Sequence, residues 1–451
     1  MSDILADLRW RGLIHQVTDE AGLQYWLSSG SRTLYCGFDP SADSLHVGSL
    51  IPLLMLRRFQ RAGHRPIALV GGATGMIGDP SGKSQERLLL AEDTLGANVG
   101  ALKKQMELVL DFGDAEHPAK LVNNYDWMSR FTYLEFLRDI GKHFPVNVMM
   151  AKDSVKARLE RDDVGISYTE FSYMLLQAYD FVELNREEQC GLQIGASDQW
   201  GNITAGIDLA RRMSPLHDFE PDEPGSMLVG INPSAPKQET PLFGLTCPLL
   251  TKSDGSKMGK TESGTVWLSP ARTSPYAFYQ YWINVDDADA GKCLRMLTEL
   301  PHDEIESLDA ARAADPARRE SQRRLAEEVT RLVHGVGGLQ AAERATEIFF
   351  GAEIADLSDA QLGEIFADVP SRDLPRTRLD SPGLNIIDAL VESGLAKNKS
   401  DARRTVEQGG AYVNNRRVDG IAAQLDAGQL ASESVMVLRS GKKKYALLRF
   451  R

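Results

Sequence analysis

Lys257 and Lys260 stand three residues apart in Lys257-Met258-Gly259-Lys260-Thr261, just after the turn-forming Asp254-Gly255-Ser256. Two ammonium groups at that spacing on a glycine-bearing loop reach the same polyphosphate, although the composition also suits a solvated charged turn. Far upstream, Leu45-His46-Val47-Gly48-Ser49 precedes a helical pattern. An imidazole donor there lies beside free backbone N–H groups and the positive end of the helix dipole, a natural place for phosphate. Gly48 lets a flat ring approach the backbone closely. Taken alone, His46 also reads as a helix cap or a surface residue. Together the two segments describe chemistry at a phosphorus centre, carried out by positioning and charge.

Gly78-Asp79-Pro80-Ser81-Gly82-Lys83-Ser84 looks like a phosphate-binding P-loop, but its register fails. The first glycine would have to stand where Ile77 is, and Pro80 removes an amide from the cradle. Lys83 and Arg87 remain cations within reach of phosphate. Tyr173, Gln177 and Asp180 follow at spacings that put all three on one helix face. Apolar residues interleave, so a core helix with a polar edge is the plain alternative. Gln193, Asp198 and Gln199 lie at the end of an apolar run, where a ribose-binding acid is at home.

These residues need elements to hold them. Thr33–Phe38 and Pro66–Val70 read as strands, as does Leu192–Gly195. Leu50 to Gln60 reads as a helix ending near Gly63, and Pro52 is tolerable only near its start, which puts His46 at or just before the N-terminus. Asp198 could begin the helix after its strand. The strand–loop–helix rhythm predicts an α/β fold, a parallel sheet with chemistry at the strand C-terminal ends. From 270 to 367 the chain is rich in Ala, Arg, Glu and Leu and reads as a helical domain. Residues 368–383, with three prolines among charges, read as a linker. Residues 384–451 form a compact module of two helices and at least two strands.

The chain has 451 residues, 42% apolar, and a net charge of −12. That length suggests two or three domains. The four cysteines, Cys36, Cys190, Cys247 and Cys293, form no Cys-x-x-Cys pair and suit reduced cytosolic thiols. No membrane span, signal segment or histidine metal spacing is expected. An acidic chain is a poor general nucleic-acid binder. Its cations, however, gather near the C-terminus: Lys397, Lys399, Arg403, Arg404, Arg416 and Arg417, then Arg439 to Arg451. That asymmetry fits nucleic-acid contact in one region.

The segments around His46 and Lys257 resemble the paired HIGH and KMSKS signatures of class I aminoacyl-tRNA synthetases. Tyr35-Cys36-Gly37-Phe38-Asp39-Pro40-Ser41-Ala42-Asp43-Ser44-Leu45-His46 narrows the resemblance to the bacterial tyrosyl-tRNA synthetases. The last His of the first signature is Ser49 here, and the two Ser of the second are Gly259 and Thr261. The resemblance implies a Rossmann-like catalytic domain over 1–269, an anticodon-binding helical domain over 270–367, a linker over 368–383 and an S4-like RNA-binding domain over 384–451.

It also implies roles. Ser41 and His46 would hold the ATP phosphates, and Lys83, Arg87, Lys257, Lys260 and Thr261 the departing pyrophosphate. Gly37, Asp39, Gly48, Ser49, Asp198 and Met258 would line the ATP site, with Asp198 and Gly37 at the ribose. Tyr35 and Asp180 would read the substrate phenol. Asp79, Tyr173 and Gln177 would bind its ammonium, and Gln193 and Gln199 the rest of the amino acid. Arg403, Arg404, Arg416 and Arg417 would contact tRNA. Mg²⁺ would accompany ATP without protein metal ligands. The partners implied are tyrosine, tRNA(Tyr) and a second copy of the chain, in the cytoplasm and with no membrane. The alternatives are a tryptophan-specific relative, a kinase, or an RNA-binding protein without catalysis.

Overall fold

The computed structural model describes residues 3–80, 92–152, 155–156, 165–213, 240–261, 264–354, 357–366, 369–441 and 444–451. The chain forms two compact units. The first comprises Met1–Ser269 and Asp286–Ser321, the second Pro270–Val285 and Gln322–Arg451.

The first unit is built on a six-stranded sheet: β1 (Gln16–Val17), β2 (Thr33–Phe38), β3 (Arg65–Val70), β4 (Lys120–Asn123), β5 (Cys190–Ala196) and β6 (Phe243–Cys247), in the order β1-β6-β5-β2-β3-β4. Every neighbouring pair is parallel except β1 with β6. β2, β3 and β5 are buried along most of their length, which is why they read as nearly unbroken apolar runs. Gly37 is the exposed residue in β2. Across β2 and β5, Tyr35 stands opposite Gln193, so both side chains project to the same face of the sheet. The helices Tyr168–Glu188 and Trp200–Arg212 bury Met174, Ala178, Phe181 and Ile203 with Tyr35, Ile67 and Leu69 in one core. Ser167 caps the first of these helices through the Glu170 N–H. The parallel sheet expected from the strand–loop–helix rhythm, and the Rossmann-like core that the resemblance implies, are present.

The helices Asp287–Leu297 and His302–Ala314 complete this unit. The helix Leu50–Arg61 carries the buried Arg58, which donates to the carbonyls of Met296 (3.1 Å) and Thr298 (2.7 Å). Arg11 adds bonds to Thr298 (3.2 Å) and Leu300 (2.9 Å). These carbonyls end a helix and have few intrahelical donors, so two guanidinium groups satisfy them. Burial is the main force lowering the Arg58 pKa, to about 10. The helical stretch over 270–367 is therefore shared between the two units. A short ribbon, β7 (Lys260–Thr261) with β8 (Gly264–Thr265), follows the lysine loop.

The second unit begins with the helix Pro275–Ile283 and the helical stretch Glu320–Phe349, which is broken at Gly335 (φ 71°). After the helix Asp359–Ile365 comes a five-stranded sheet, ordered β12-β11-β14-β15-β9. Its strands are β9 (Ser371–Leu374), β11 (Ala411–Val413), β12 (Arg416–Arg417), β14 (Val435–Ser440) and β15 (Lys444–Phe450). β10 (Leu384–Asn385) and β13 (Gln424–Leu425) pair separately. The segment 368–383 is more than a connection, because β9 runs parallel to β15 as an edge strand. Helices Ile386–Glu392 and Lys399–Glu407 cover one face of the sheet through Leu390, Ala402, Met436 and Leu448. Ile348, Leu362 and Phe366 cover the other through Val437, Tyr445 and Leu447. No helix among the described residues is long and apolar enough to cross a membrane.

Replacing Arg58 with Leu keeps its volume apolar but takes the guanidinium from the Met296 carbonyl and leaves Arg11 as the one guanidinium on Thr298. The expected loss is about 2–4 kcal/mol. Urea unfolding followed by tryptophan fluorescence should show a lower midpoint for Arg58→Leu, and an unchanged midpoint would refute the clamp.

Candidate active site

The two phosphate-type segments meet through backbone pairing. Val47 N–H donates to the Val266 carbonyl (3.1 Å) and Leu268 N–H to the Leu45 carbonyl (2.9 Å), with His46 opposite Trp267. Val266 N–H in turn donates to the Gly259 carbonyl at 2.8 Å. Gly259 has φ +83°, and a Cβ there would sit 3.3 Å from the Val47 Cβ, so a glycine suits both the turn and the close approach. Met258 is buried, its sulfur 3.7 Å from the Cys293 thiol, while Lys257 is exposed. The methionine thus anchors the loop and the lysine faces out. Lys260 and Thr261 lie in β7; their side chains, and Lys83 and Arg87 entirely, lie outside the described residues.

His46 precedes the short 3₁₀ turn Val47–Ser49, which leads into the helix Leu50–Arg61. Its side chain makes no capping bond to that turn, and it is exposed, edge-on to Trp267. A Cβ on Gly48 would meet the His46 ring at 2.8 Å. The glycine is therefore needed for the imidazole to lie across the helix start, a reason the sequence reading missed. Ser41 is exposed and Ser49 half-buried in the same stretch.

Away from these residues lies a buried polar network. Asp180 is fully enclosed and accepts from Trp127 Nε1 (2.9 Å) and Asn124 Nδ2 (3.1 Å). Burial pushes its pKa up to about 8, against the pull of those two donors. Asn124 also donates to Thr74 Oγ1 (3.1 Å), and the Thr74 hydroxyl donates to Asp39 Oδ1 (2.7 Å). The Tyr173 hydroxyl donates to Asp39 Oδ2 at 2.9 Å. A Cβ on Gly71 would lie 2.2 Å from both Asp39 Oδ1 and Thr74 Oγ1, so only glycine leaves room for that pair. Beside it, Gln199 Nε2 donates to Asp79 Oδ2 (2.6 Å), and Asn202 bridges Gln177 (2.9 Å) and Gln199 (3.3 Å).

Tyr35 is buried, its ring edge-on to Phe181, and its hydroxyl has no hydrogen-bond partner among the described residues; the same is true of Gln193 Oε1 opposite it. Burial, then the nearby Asp180 charge, raises the Tyr35 pKa. Asp198 sits in the 3₁₀ turn after β5. Burial, then Asp79, raises its pKa, and the Lys257 ammonium lowers it, which puts the lysine loop within electrostatic reach of the strand ends. The structure thus gathers Tyr35, Asp39, Asp79, Tyr173, Gln177, Asp180, Gln193, Asp198 and Gln199 at one sheet end. Asn124, Trp127, Thr74 and Asn202 were not singled out from the sequence. Asn123-Asn124, at the end of the short strand β4, was the available signal.

Arg403, Arg404, Arg416 and Arg417 are exposed in the second unit. Arg404 pairs with Asp401 (2.8 Å) and Arg416 with Glu353.

The family described as tRNA synthetases class I (W and Y) matches residues 28–351. The Tyrosine–tRNA ligase SYY-like C-terminal domain matches residues 361–448. The tyrosine–tRNA ligase of Rhodopirellula baltica is 56% identical, spanning 99% of this chain and 96% of its own. That of Roseiflexus castenholzii is 52% identical over 100% of both. Among solved structures, a C-terminally truncated mitochondrial tyrosyl-tRNA synthetase of Aspergillus nidulans aligns with TM-score 0.66 and 30% identity, covering 78% of this chain and 95% of that one. A Plasmodium falciparum tryptophanyl-tRNA synthetase, at 14% identity and TM-score 0.51, shares the fold alone.

An enclosed carboxyl with a raised pKa is protonated in the folded chain where the unfolded chain has already ionised. Stability should therefore fall as pH rises from about 4 to about 8. A bound hydroxyl donor favours the carboxylate, so affinity for a phenol-bearing ligand should rise over the upper part of that window. Calorimetric titration with tyrosine from pH 6 to 8.5 should show this trend, and Asp180→Asn should weaken binding and flatten it. A slope that persists in Asp180→Asn would assign the titration to another group.

Proposed function

The chain belongs to the class I tRNA synthetases and, among them, to the tyrosine–tRNA ligases, and from that premise we propose how its residues divide the work. The enzyme activates tyrosine with ATP and transfers it to tRNA(Tyr). A tyrosine carboxylate oxygen attacks the α-phosphorus, the bond to the β-phosphate breaks, and pyrophosphate leaves. The terminal ribose hydroxyl of the tRNA then attacks the tyrosyl carbonyl, and AMP leaves. Neither step needs a protein nucleophile. What the protein supplies is orientation and charge.

The observation that carries the assignment is the Tyr35 hydroxyl, enclosed and without a partner among the described residues, beside the enclosed Asp180. A substrate phenol would donate to Asp180 and accept from Tyr35, satisfying a group that is otherwise costly to bury. Phenylalanine offers neither bond. Gln193 Oε1 is a second open acceptor for the amino acid. Asp79, Tyr173 and Gln177 would receive the ammonium end, and Gln199 with Gln193 the rest of the amino acid. Gly37, open in β2, and Asp198 would take the ribose. Asp39, Gly48, Ser49 and the Met258 backbone would border the nucleotide. His46 and Ser41 would meet the phosphates, and Lys257, Lys260, Thr261, Lys83 and Arg87 the pyrophosphate.

Mg²⁺ would arrive with ATP. Asp39 and Asp79 are held by Thr74, Tyr173 and Gln199, so phosphate and water oxygens would supply its coordination. The ion would neutralise charge on the leaving pyrophosphate.

Residues 1–269 would form the catalytic domain, 270–367 an anticodon-binding domain and 384–451 an S4-like domain, with 368–383 joining them. Arg403, Arg404, Arg416 and Arg417 would contact tRNA phosphates. Homodimerisation would cover Tyr133, Leu134, Val146, Val148 and Met150, large apolar residues left exposed near one another in sequence. A cytoplasmic location suits four buried free thiols.

Two measurements test the reading. Tyr35→Phe should narrow the ratio of kcat/KM for tyrosine over phenylalanine in ATP–pyrophosphate exchange by roughly tenfold, the weight of one buried hydrogen bond. An unchanged ratio would remove Tyr35 from its role. His46→Ala and Lys257→Ala should slow adenylate formation in single-turnover kinetics by about 10²-fold or more with tyrosine affinity nearly unchanged. Loss of tyrosine affinity with the bound-state rate intact would contradict a role confined to the transition state.

A further inference from the structure

β11 and β12 are joined by the two-residue turn Asn414-Asn415, with Val413 paired to Arg416 across it. Both asparagines have positive φ, 48° and 65°. Two successive left-handed residues are what a tight hairpin of this hand requires, and asparagine tolerates them better than most side chains. Glycine would serve as well or better, so the turn alone does not explain the second asparagine.

Its side chain does. Asn415 Nδ2 donates to the carbonyls of Ile348 (2.8 Å) and Ala352 (2.7 Å), at the end of the helical stretch Glu320–Phe349. The Tyr445 hydroxyl, from β15, lies 3.2 Å from the same Ile348 carbonyl and 3.3 Å from Asn415 Oδ1. Asn414 ties the turn to its own sheet, donating to the Gln429 carbonyl (2.7 Å) and accepting from Val437 N–H (2.9 Å). The Asn414 carbonyl accepts from Ile354 N–H at 3.3 Å. Arg416 pairs with Glu353 just outside. Beneath lies an apolar core shared by Ile348, Ile354, Leu362 and Phe366 with Val437, Tyr445 and Leu447. The Ile348 carbonyl, which also accepts from Gly351 N–H (2.9 Å), and the Ala352 carbonyl just past the helix are thus tied to the C-terminal module.

We propose that Asn415, seconded by Tyr445, is a positioning residue for transfer to tRNA: it locks the basic C-terminal module onto the helix ending at Phe349, so that the module's cations are presented in one orientation. The proposal rests on the reading of that module as a tRNA contact. The adenylation chemistry makes no use of the lock.

The test uses the full-length chain. Asn415→Gly keeps the left-handed turn and deletes the amide. Asn415→Asp keeps the side chain's size but sets an acceptor against two carbonyls. Spin labels at Gln340→Cys and Gln408→Cys, both exposed sites, report the module's position, since the four native cysteines are buried. In Asn415→Gly the distance distribution should broaden and kcat/KM for tRNA should fall roughly tenfold, with tyrosine-dependent ATP–pyrophosphate exchange unchanged. The salt dependence of tRNA binding should keep its slope, because no phosphate-contacting cation is removed. Asn415→Asp should be worse than Asn415→Gly, and Asn415→Gly itself discriminates, because a purely conformational role for the turn predicts no loss there: glycine accepts the left-handed position as well as asparagine does. Tyr445→Phe should give a smaller effect of the same kind. Full transfer and a narrow distribution in Asn415→Gly, while Arg417→Ala still weakens tRNA binding, would overturn the lock and leave the RNA-binding reading standing. If Arg417→Ala also left tRNA binding and transfer intact, both would fall.

Discussion

A carboxyl group shut away from water must find donors, and Asp180 sets that demand at the centre of the first unit. Its partners are Trp127 and Asn124, which follow β4 directly. Fixing Asn124 fixes Thr74 by a shared hydrogen bond, Thr74 fixes Asp39, and Asp39 fixes the Tyr173 hydroxyl. Gly71 exists in that chain as an empty space. A fully satisfied polar network in low dielectric is rigid, and a half-satisfied one is costly. The Tyr35 hydroxyl and Gln193 Oε1 are the places where this network stays open among the described residues, and both lie on one face of adjacent strands. On the proposed reading, selectivity for a phenol would follow from leaving those atoms unpaired until a ligand of the right chemistry arrives.

The phosphate end is held differently. Leu45–Val47 and Val266–Leu268 pair through main-chain bonds, a type of contact indifferent to side-chain identity. Main-chain pairing of this kind tolerates the departures from the family signatures at Ser49 and Thr261. The backbone brings the segments together, and on the proposed reading the chemistry would rest on the imidazole and the ammonium groups. Gly259 and Gly48 are constrained by space rather than chemistry, one against Val47 and the other against the His46 ring.

Much of this was legible in the sequence because it rests on local periodicity. The strands at Thr33–Phe38, Pro66–Val70 and Leu192–Gly195 are apolar runs, and Tyr173, Gln177 and Asp180 share a helix face by spacing alone. What was missed depends on distant partners. Nothing local marks Trp127 as the donor to a carboxylate 53 residues away. The packing of Asp287–Leu297 within the first unit draws on Arg58 and Arg11, two charged side chains that composition would place on the surface. The edge strand Ser371–Leu374 was hidden among prolines and charges, a composition that edge strands tolerate because one side needs no ladder donors.

The two halves of the catalytic site therefore answer two different physical requirements. Discrimination between amino acids needs preformed, desolvated polar atoms, because only in a dry pocket does a missing hydroxyl leave a full penalty behind. Stabilising charge that develops at phosphorus needs cations that meet a highly charged, hydrated substrate as it arrives. A lysine buried before ATP binds would lose its charge to desolvation, as the lowered Arg58 pKa illustrates even for a guanidinium. Accordingly, the residues proposed to read the phenol, Tyr35 and Asp180, are buried in the first unit's core, whereas His46 and Lys257 are exposed on segments joined by backbone pairing. The same fold can hold both because a parallel sheet ends in loops at one edge while its strands and helices stay packed below.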